Sequence, residues 1–286
     1  MFEQFSLQPS PEEWQSAWIA RGELHDQRLN LPPGVSEVIF DRARLVNVDF
    51  SGMRFAYFNV HDSTFEDCDF SGATFEQLSM GSTGVQGSRN GADWPQSIFR
   101  DCTFRRTRFA LPTFFGNVRF EKCLFDRSRL REQTFTFGAE FVNCVFHGRV
   151  REVNFWGRPD DHDQDAVGRD RNDFVGNDFT GAELEHVAFH HIDLQAQRFP
   201  CLPGYALLDR ISQRVDAVLP LVEHWPDPHH REMAGFSLEF LADCALGQND
   251  DQALVSPLDM GRKLPPALRE ELFEALRRTP SDTSPG

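Results

Sequence analysis

Three cysteines pose the first chemical question. Cys102, Cys123 and Cys144 recur every 21 residues. Thiols at one position on successive layers of a stacked chain would lie about 4.8 Å apart. By distance alone that suits a disulfide or a soft metal ion. It equally suits a buried ladder of reduced thiols acting as small apolar fillers. The ladder is the expectation here, because Ala, Ser and Thr fill equivalent positions elsewhere. A second candidate is Asp160-Asp161-His162-Asp163-Gln164-Asp165, whose alternate carboxylates faintly echo a calcium loop. It has no Gly at the sixth position from Asp161, and the twelfth is Asn172 instead of Glu. Glycines from Gly81 to Gly91 are not followed by the Gly-Lys-Ser/Thr of a phosphate loop. His186 and His190 fall after different repeat slots, and His229 and His230 are adjacent at the start of a helix. Neither pair converges on a metal. With no Gly-x-Ser-x-Gly, His-Glu-x-x-His or Cys-x-x-Cys present, no catalytic, cofactor or metal residue is assigned.

Charge supplies the remaining candidates. The chain has 286 residues and a net charge of −15, which excludes a wholly basic nucleic-acid binder but not a local basic patch. Residues 99–146 run the other way, with Arg100, Arg105, Arg106, Arg108, Arg119, Lys122, Arg127, Arg129 and Arg131. The 21-residue offset puts Arg106 over Arg127 and Arg108 over Arg129. Such like-charge stacking is costly unless Asp101, Glu121 and Asp126, or a bound anion, relieve it. Arg105, Arg106, Arg108, Arg127, Arg129 and Arg131 are therefore the candidate binding face.

The element that must carry these groups is a repeat. From Phe40 an apolar residue returns every fifth position to Met80, and the beat resumes at 99–109, 115–135, 141–146 and 174–199. Its 25 slots hold 19 Phe, 4 Leu, 1 Val and 1 Met. Phe50, Phe70, Phe104, Phe125, Phe146 and Phe179 are representative core slots. Small residues sit two positions earlier, among them Ala43, Ser63, Cys68, Ala73, Ser97, Thr107, Ser128, Ala139 and Ala182. Residues two apart on an extended backbone point the same way. A polar, turn-rich triplet between these pairs bends the chain once per five residues. Four bends close a square coil of about 20 residues, with Phe rings filling the interior.

Ala73-Thr74-Phe75, Cys68-Asp69-Phe70, Asn177-Asp178-Phe179 and Ala182-Glu183-Leu184 resemble the unit of the pentapeptide-repeat family, Ala-(Asp/Asn)-Leu/Phe-x-x, over about 38–199. The resemblance implies a mainly β protein: a right-handed quadrilateral β-helix of about six coils. Loops interrupt it near 81–96 and 147–173. Residues 1–37 are expected to cap it with a helix, since Ser10-Pro11-Glu12-Glu13 reads as a capping box. Trp14, Ala17, Trp18 and Leu24 would form its apolar face. Residues 200–286 read as a helical extension, with helices on Leu207–Val222, on Met233, Phe236, Phe240, Leu241 and Cys244, and after Pro265-Pro266. Its last residues, 279–286, read as a disordered tail. No secretory signal or membrane-spanning stretch is evident, and the cysteine usage suits a reducing cytoplasm.

The same resemblance implies function. Well-known bacterial members mimic DNA and bind type II topoisomerases, DNA gyrase or topoisomerase IV, inhibiting them or protecting them from quinolones and toxins. They dimerise through a short C-terminus, so a homodimer stays open. Two alternatives stand beside topoisomerase binding: an immunity or regulatory scaffold for another protein, and weak nucleic-acid binding through 100–131.

Overall fold

The computed structural model describes residues 4–11, 17–81, 95–110, 113–129, 134–159, 161, 164, 167–200 and 204–279, without the side chains at 134 and 135. The chain divides into two compact units, one running to His190 with Ala196–Arg198 added, the other comprising His191–Gln195 and residues from Phe199 onward.

The first unit is a parallel β-helix. The strand Glu37–Val46 bends around a corner and so belongs to two faces. On one, Tyr57–His61, Leu78–Met80 and Thr113–Phe115 stack in parallel. On the other, Thr64–Glu66, Ser97–Arg100, Val118–Glu121, Ala139–Val142 and Phe174–Val175 do so. A third face stacks Thr103–Arg105, Leu124–Asp126, Val145–Arg151 and Asp178–Glu185. The fourth stacks Arg54–Phe55, Thr74–Phe75 and Arg108–Phe109.

Burial follows the five-residue beat. Described slots from Phe40 to Leu194 are at most 7% exposed, and all the small partners named above are buried. Phe50 stacks on Phe70 at 4.5 Å between ring centroids, and Phe70 on Phe104 at 4.9 Å. Phe104 continues to Phe125 at 4.9 Å, Phe125 to Phe146 at 5.0 Å and Phe146 to Phe179 at 4.5 Å, each within 6° of parallel. Offset ring pairs add about 0.5–1.5 kcal/mol each beyond area burial, so one unbroken column ties six coils together.

The corners repeat as regularly. Asp26, Asn47, Asp67, Asp101, Lys122 and Asn143 share a left-handed φ of 52–54°. Each donates its N–H to a carbonyl on the next coil, for example Asp67 to Arg100 at 3.0 Å and Lys122 to Val142 at 2.9 Å. Asp and Asn tolerate this backbone better than most residues, which is why the polar triplets are rich in them.

Four expectations need correction. The second interruption does not begin at 147: Val145–Arg151 and Asn154–Trp156 continue the coil, and Phe155 is a buried ring stacked on Phe189 at 5.5 Å, so the insertion spans about 157–173. Trp18 and Leu24 do not continue a helix: Trp18–His25 is a strand, parallel to Glu37–Val46 and antiparallel to Ser6–Pro9. It belongs to a coil ahead of the one expected to be first, with Ala20, Leu24 and Leu29 in the inward slots. A register shift at Gly22 breaks the beat there. Trp14 and Glu12-Glu13 lie outside the described residues. In the second unit, Leu207 and Leu208 belong to a strand, Ala206–Leu208, antiparallel to Ala253–Val255. Helix α1 starts only at Ile211 (Ile211–Glu223). Finally, α2 (Pro228–Gln248) packs through Ala234, Leu238, Ala242 and Ala245. Phe236 and Phe240, assigned to its apolar face, are instead 71% and 61% exposed. The small side chains permit close helix approach, which the larger rings would block. Helix α3 (Pro266–Arg278) buries Leu272, Phe273 and Leu276. Buried Arg214 of α1 donates to the Leu276 carbonyl at 3.0 Å. The expected tail beyond Thr279 lies outside the described residues.

Truncating a ring in the column should be felt strongly. Phe104→Ala is expected to cost about 3–5 kcal/mol by guanidinium unfolding, whereas exposed Phe236→Ala should stay within about 0.5 kcal/mol.

Candidate interaction surface

The thiols form a ladder and are all free. Cys68 joins Cys102, Cys123 and Cys144, each at most 1% exposed. Cys102 Sγ donates to the Phe65 carbonyl at 3.4 Å, Cys123 to Phe99 at 3.2 Å and Cys144 to Phe120 at 3.3 Å. Burial pushes the Cys123 thiol well up, and its neighbours Cys102 and Cys144 push it further. The rung after Cys144 is Asn177, whose Oδ1 accepts from the Cys144 N–H at 2.9 Å. Cys68 was missed as a rung because an insertion stretches its spacing to Cys102. Its place in the small-residue series was the available signal.

Much of the outer charge is paired. An open groove lined by Arg21, Arg42, Arg44, Asp62, Glu66 and Arg100 is an alternating ladder of charge. Arg44 reaches Glu23 at 3.4 Å and Glu66 at 2.9 Å, and Arg100 reaches Glu66 at 3.4 Å and Glu121 at 3.2 Å. Arg21 meets Asp41 at 2.7 Å. Burial raises the Asp41 pKa, but Arg21 and Arg42 outweigh it and hold the carboxyl below its usual value.

Sequence reasoning did not find the buried cluster that straps the 157–173 insertion to the rod. Glu140, 6% exposed, accepts from Arg119 at 2.8 Å and Gln96 at 3.0 Å, and pairs with Arg169 at 3.2 Å. Arg169 also donates to Asn117 Oδ1 at 2.7 Å, and Asn172 Nδ2 to the Phe137 carbonyl at 2.8 Å. Every partner comes from a different coil or from the insertion, so no local motif announces the cluster. Its polar atoms are mutually satisfied and it holds structure together.

The histidines are dispersed. His190 stacks on Trp156 at 4.0 Å, His186 occupies a left-handed corner, and His230 lies 3.4 Å from Asp227, the N-cap of α2. Asp160, Asp163 and Asp165 fall outside the described residues. Among the described residues no three His, Cys, Asp or Glu side chains gather as metal ligands would.

The basic face is brought together. Arg105, Arg106, Arg108, Arg127 and Arg129 are exposed around one corner of two successive coils. Arg131 lies outside the described residues. Arg105 pairs with Asp126 at 3.0 Å, and the same carboxylate is 3.9 Å from Arg127. Among the described residues, Arg106, Arg108 and Arg129 make no ion pair. The corner column runs Gly52, Gly72, Arg106, Arg127, Gly148, all at positive φ, and it is joined by hydrogen bonds such as Gly72 N–H to Arg105 O at 2.8 Å. A left-handed backbone favours glycine and costs other L-residues roughly 1–2 kcal/mol. Arginine here is not the backbone's choice. Gly148 makes room for it: a Cβ there would stand 3.0 Å from Arg127 Cγ.

Residues 38–77 match the sequence model for pentapeptide repeats, in eight copies. The chain carries pentapeptide repeats. This rod is accordingly a pentapeptide-repeat β-helix. No curated protein matches the chain. Among solved structures it is similar to a trypsin-treated point variant of QnrB1, a plasmid-mediated fluoroquinolone resistance protein. The two are 16% identical over 62% of this chain and 77% of that one, with a TM-score of 0.21. Full-length QnrB1 gives 13% identity over 62% and 82%, with a TM-score of 0.22. Overlap that loose transfers no binding residue or partner.

Two outcomes follow from this geometry. In the native protein, Cys68, Cys102, Cys123 and Cys144 should resist iodoacetamide and label only on unfolding, while half-buried Cys244 labels before them; peptide mass spectrometry reads the order. Glu140→Ala should cost about 2 kcal/mol by leaving half-buried Arg119 and Arg169 short of a partner and speed hydrogen exchange across 167–173.

Proposed function

We propose that this chain is a non-catalytic protein-binding module, working from a cytoplasmic site. One observation carries it: the rod's inward slots are filled by stacked rings and aliphatic side chains, leaving its chemistry on flat outer faces. Catalysis requires converging groups in a concave site, whereas rigid faces suit docking. Four buried, unpaired thiols fit a reducing compartment. No described helix is long and apolar enough to cross a membrane.

The partner class we propose first is a type II topoisomerase, DNA gyrase or topoisomerase IV. Two things support it: the pentapeptide repeats, through the family resemblance, and a net charge of −15, which suits a basic DNA-binding saddle. A second reading, an immunity or regulatory scaffold for a different protein, draws support from the charge ladder at Glu23, Arg44, Glu66, Arg100 and Glu121. It neutralises a face that a DNA mimic would keep acidic.

Purified protein at micromolar concentration is expected to change gyrase supercoiling or its poisoning by a quinolone. An unchanged supercoiling gel in both conditions would remove the topoisomerase partner and leave the scaffold.

A further inference from the structure

We propose that the corner bearing Arg106, Arg108, Arg127 and Arg129 docks an acidic segment of a partner protein in extended conformation. This deepens the protein-binding reading above and rests on it.

Among the described residues Arg106, Arg108 and Arg129 have no carboxylate partner, and Arg127 has only a 3.9 Å share of the Asp126 that already pairs with Arg105. The corner accepts glycine at 52, 72 and 148, and the neighbouring arginines are neutralised where these are not. Arg54 meets Glu76 at 3.0 Å on one side, and Arg149 meets Glu185 at 2.8 Å on the other. Stacked like charges on adjacent strands repel, so an external anion is what this arrangement lacks.

The spacing selects the anion. Arg108 and Arg129 pair in parallel across one strand spacing, about 4.8 Å. Arg106 and Arg127 stand at the left-handed corner itself, and Arg108 and Arg129 lie two residues on, past the bend, so each pair is separated by no more than the ~6.6 Å of a straight strand. Alternate residues of an extended peptide present their carboxylates on one side about 6.6 Å apart, a separation that long arginine side chains on the two sides of the bend can span. A guanidinium fork takes a carboxylate through two parallel hydrogen bonds.

Two observations favour an acidic peptide over nucleic acid. Phe104, Phe109 and Phe125 beside the corner are buried, so these strands offer no exposed ring among their described residues on which a base could stack. The chain is also strongly acidic beyond the patch. A long phosphodiester would meet repulsion on leaving it, whereas a short acidic segment ends within it.

The test uses the full chain and a fluorescein-labelled alternating (Glu-Ser)6 peptide, followed by anisotropy in 50 mM and 300 mM salt. Saturable binding is expected, weakened at least tenfold by R108E/R129E and by the higher salt. R108Q/R129Q should weaken it less, and R54E, a reversal at a paired arginine, should leave it within twofold. Circular dichroism and melting establish that each variant is folded. Absence of saturable binding, or equal damage from R54E, would overturn the proposal. So would tighter binding of a labelled dT15 oligonucleotide abolished by R108E/R129E, which would assign the corner to phosphodiesters. A protein that alters gyrase yet ignores the peptide would remove this corner alone and keep the binding module.

Discussion

Ring-on-ring contact between coils is the interaction on which the rest of the rod depends. Phe70 can lie on Phe104 and Phe104 on Phe125 at 4.9 Å only if the backbones carrying them are stacked in register. That register aligns the ladder hydrogen bonds, and a bend must then fall at the same place on every coil. The left-handed corners at Asp26, Asn47, Asp67, Asp101, Lys122 and Asn143 are the local cost of that periodicity. Side chains two positions before the rings are mostly small, and where a large one stands there, as at Phe58 and Leu78, the following slot holds Val60 or Met80 in place of a ring. Thiols, hydroxyls and methyl groups interchange there because volume decides, and the polar ones reach a neighbouring carbonyl, as Thr107 does to Phe70 at 2.8 Å.

With the interior committed, variation is confined to corners, insertions and outward positions. The insertion that ends near Asp173 is held by a polar strap around Glu140, while the ring column runs past it with Phe146 on Phe179 at 4.5 Å. Along one face, alternating Glu and Arg side chains turn repulsion between coils into attraction. The Arg106–Arg129 corner departs from both patterns. It combines unrelieved charge with a backbone that favours glycine, which is the reason to seek its explanation in a partner.

What was legible in the sequence was whatever the repeat itself encodes. Most inward rings from Phe40 to Phe189 could be read directly, because a five-residue period matches neither helix nor strand alone; Phe58, off the beat, and Phe155, inside the expected loop, could not. The Arg106/Arg127 and Arg108/Arg129 stacking followed from the same arithmetic. The coil containing Ala20, Leu24 and Leu29 was not legible, since the shift at Gly22 removes the beat and no Phe marks its slots. Outside the repeat, periodicity located the helices but misjudged α2. Hydrophobicity ranks Phe236 and Phe240 above Ala234 and Ala242, although close packing selects the smaller side chains. The Glu140 cluster joins residues 44 and 33 positions away, at Gln96 and Asp173, and only tertiary structure assembles it.

If the dry column of rings is the source of order, its coils cannot open singly without breaking stacks on both sides. Native-state hydrogen exchange across a denaturant series tests this most directly. Amides in the coil segments carrying Phe70, Phe104, Phe125 and Phe146 should exchange last, together, and with one common denaturant dependence. Exchange of the Phe104 and Phe125 strands by separate low-energy openings insensitive to denaturant would contradict the account.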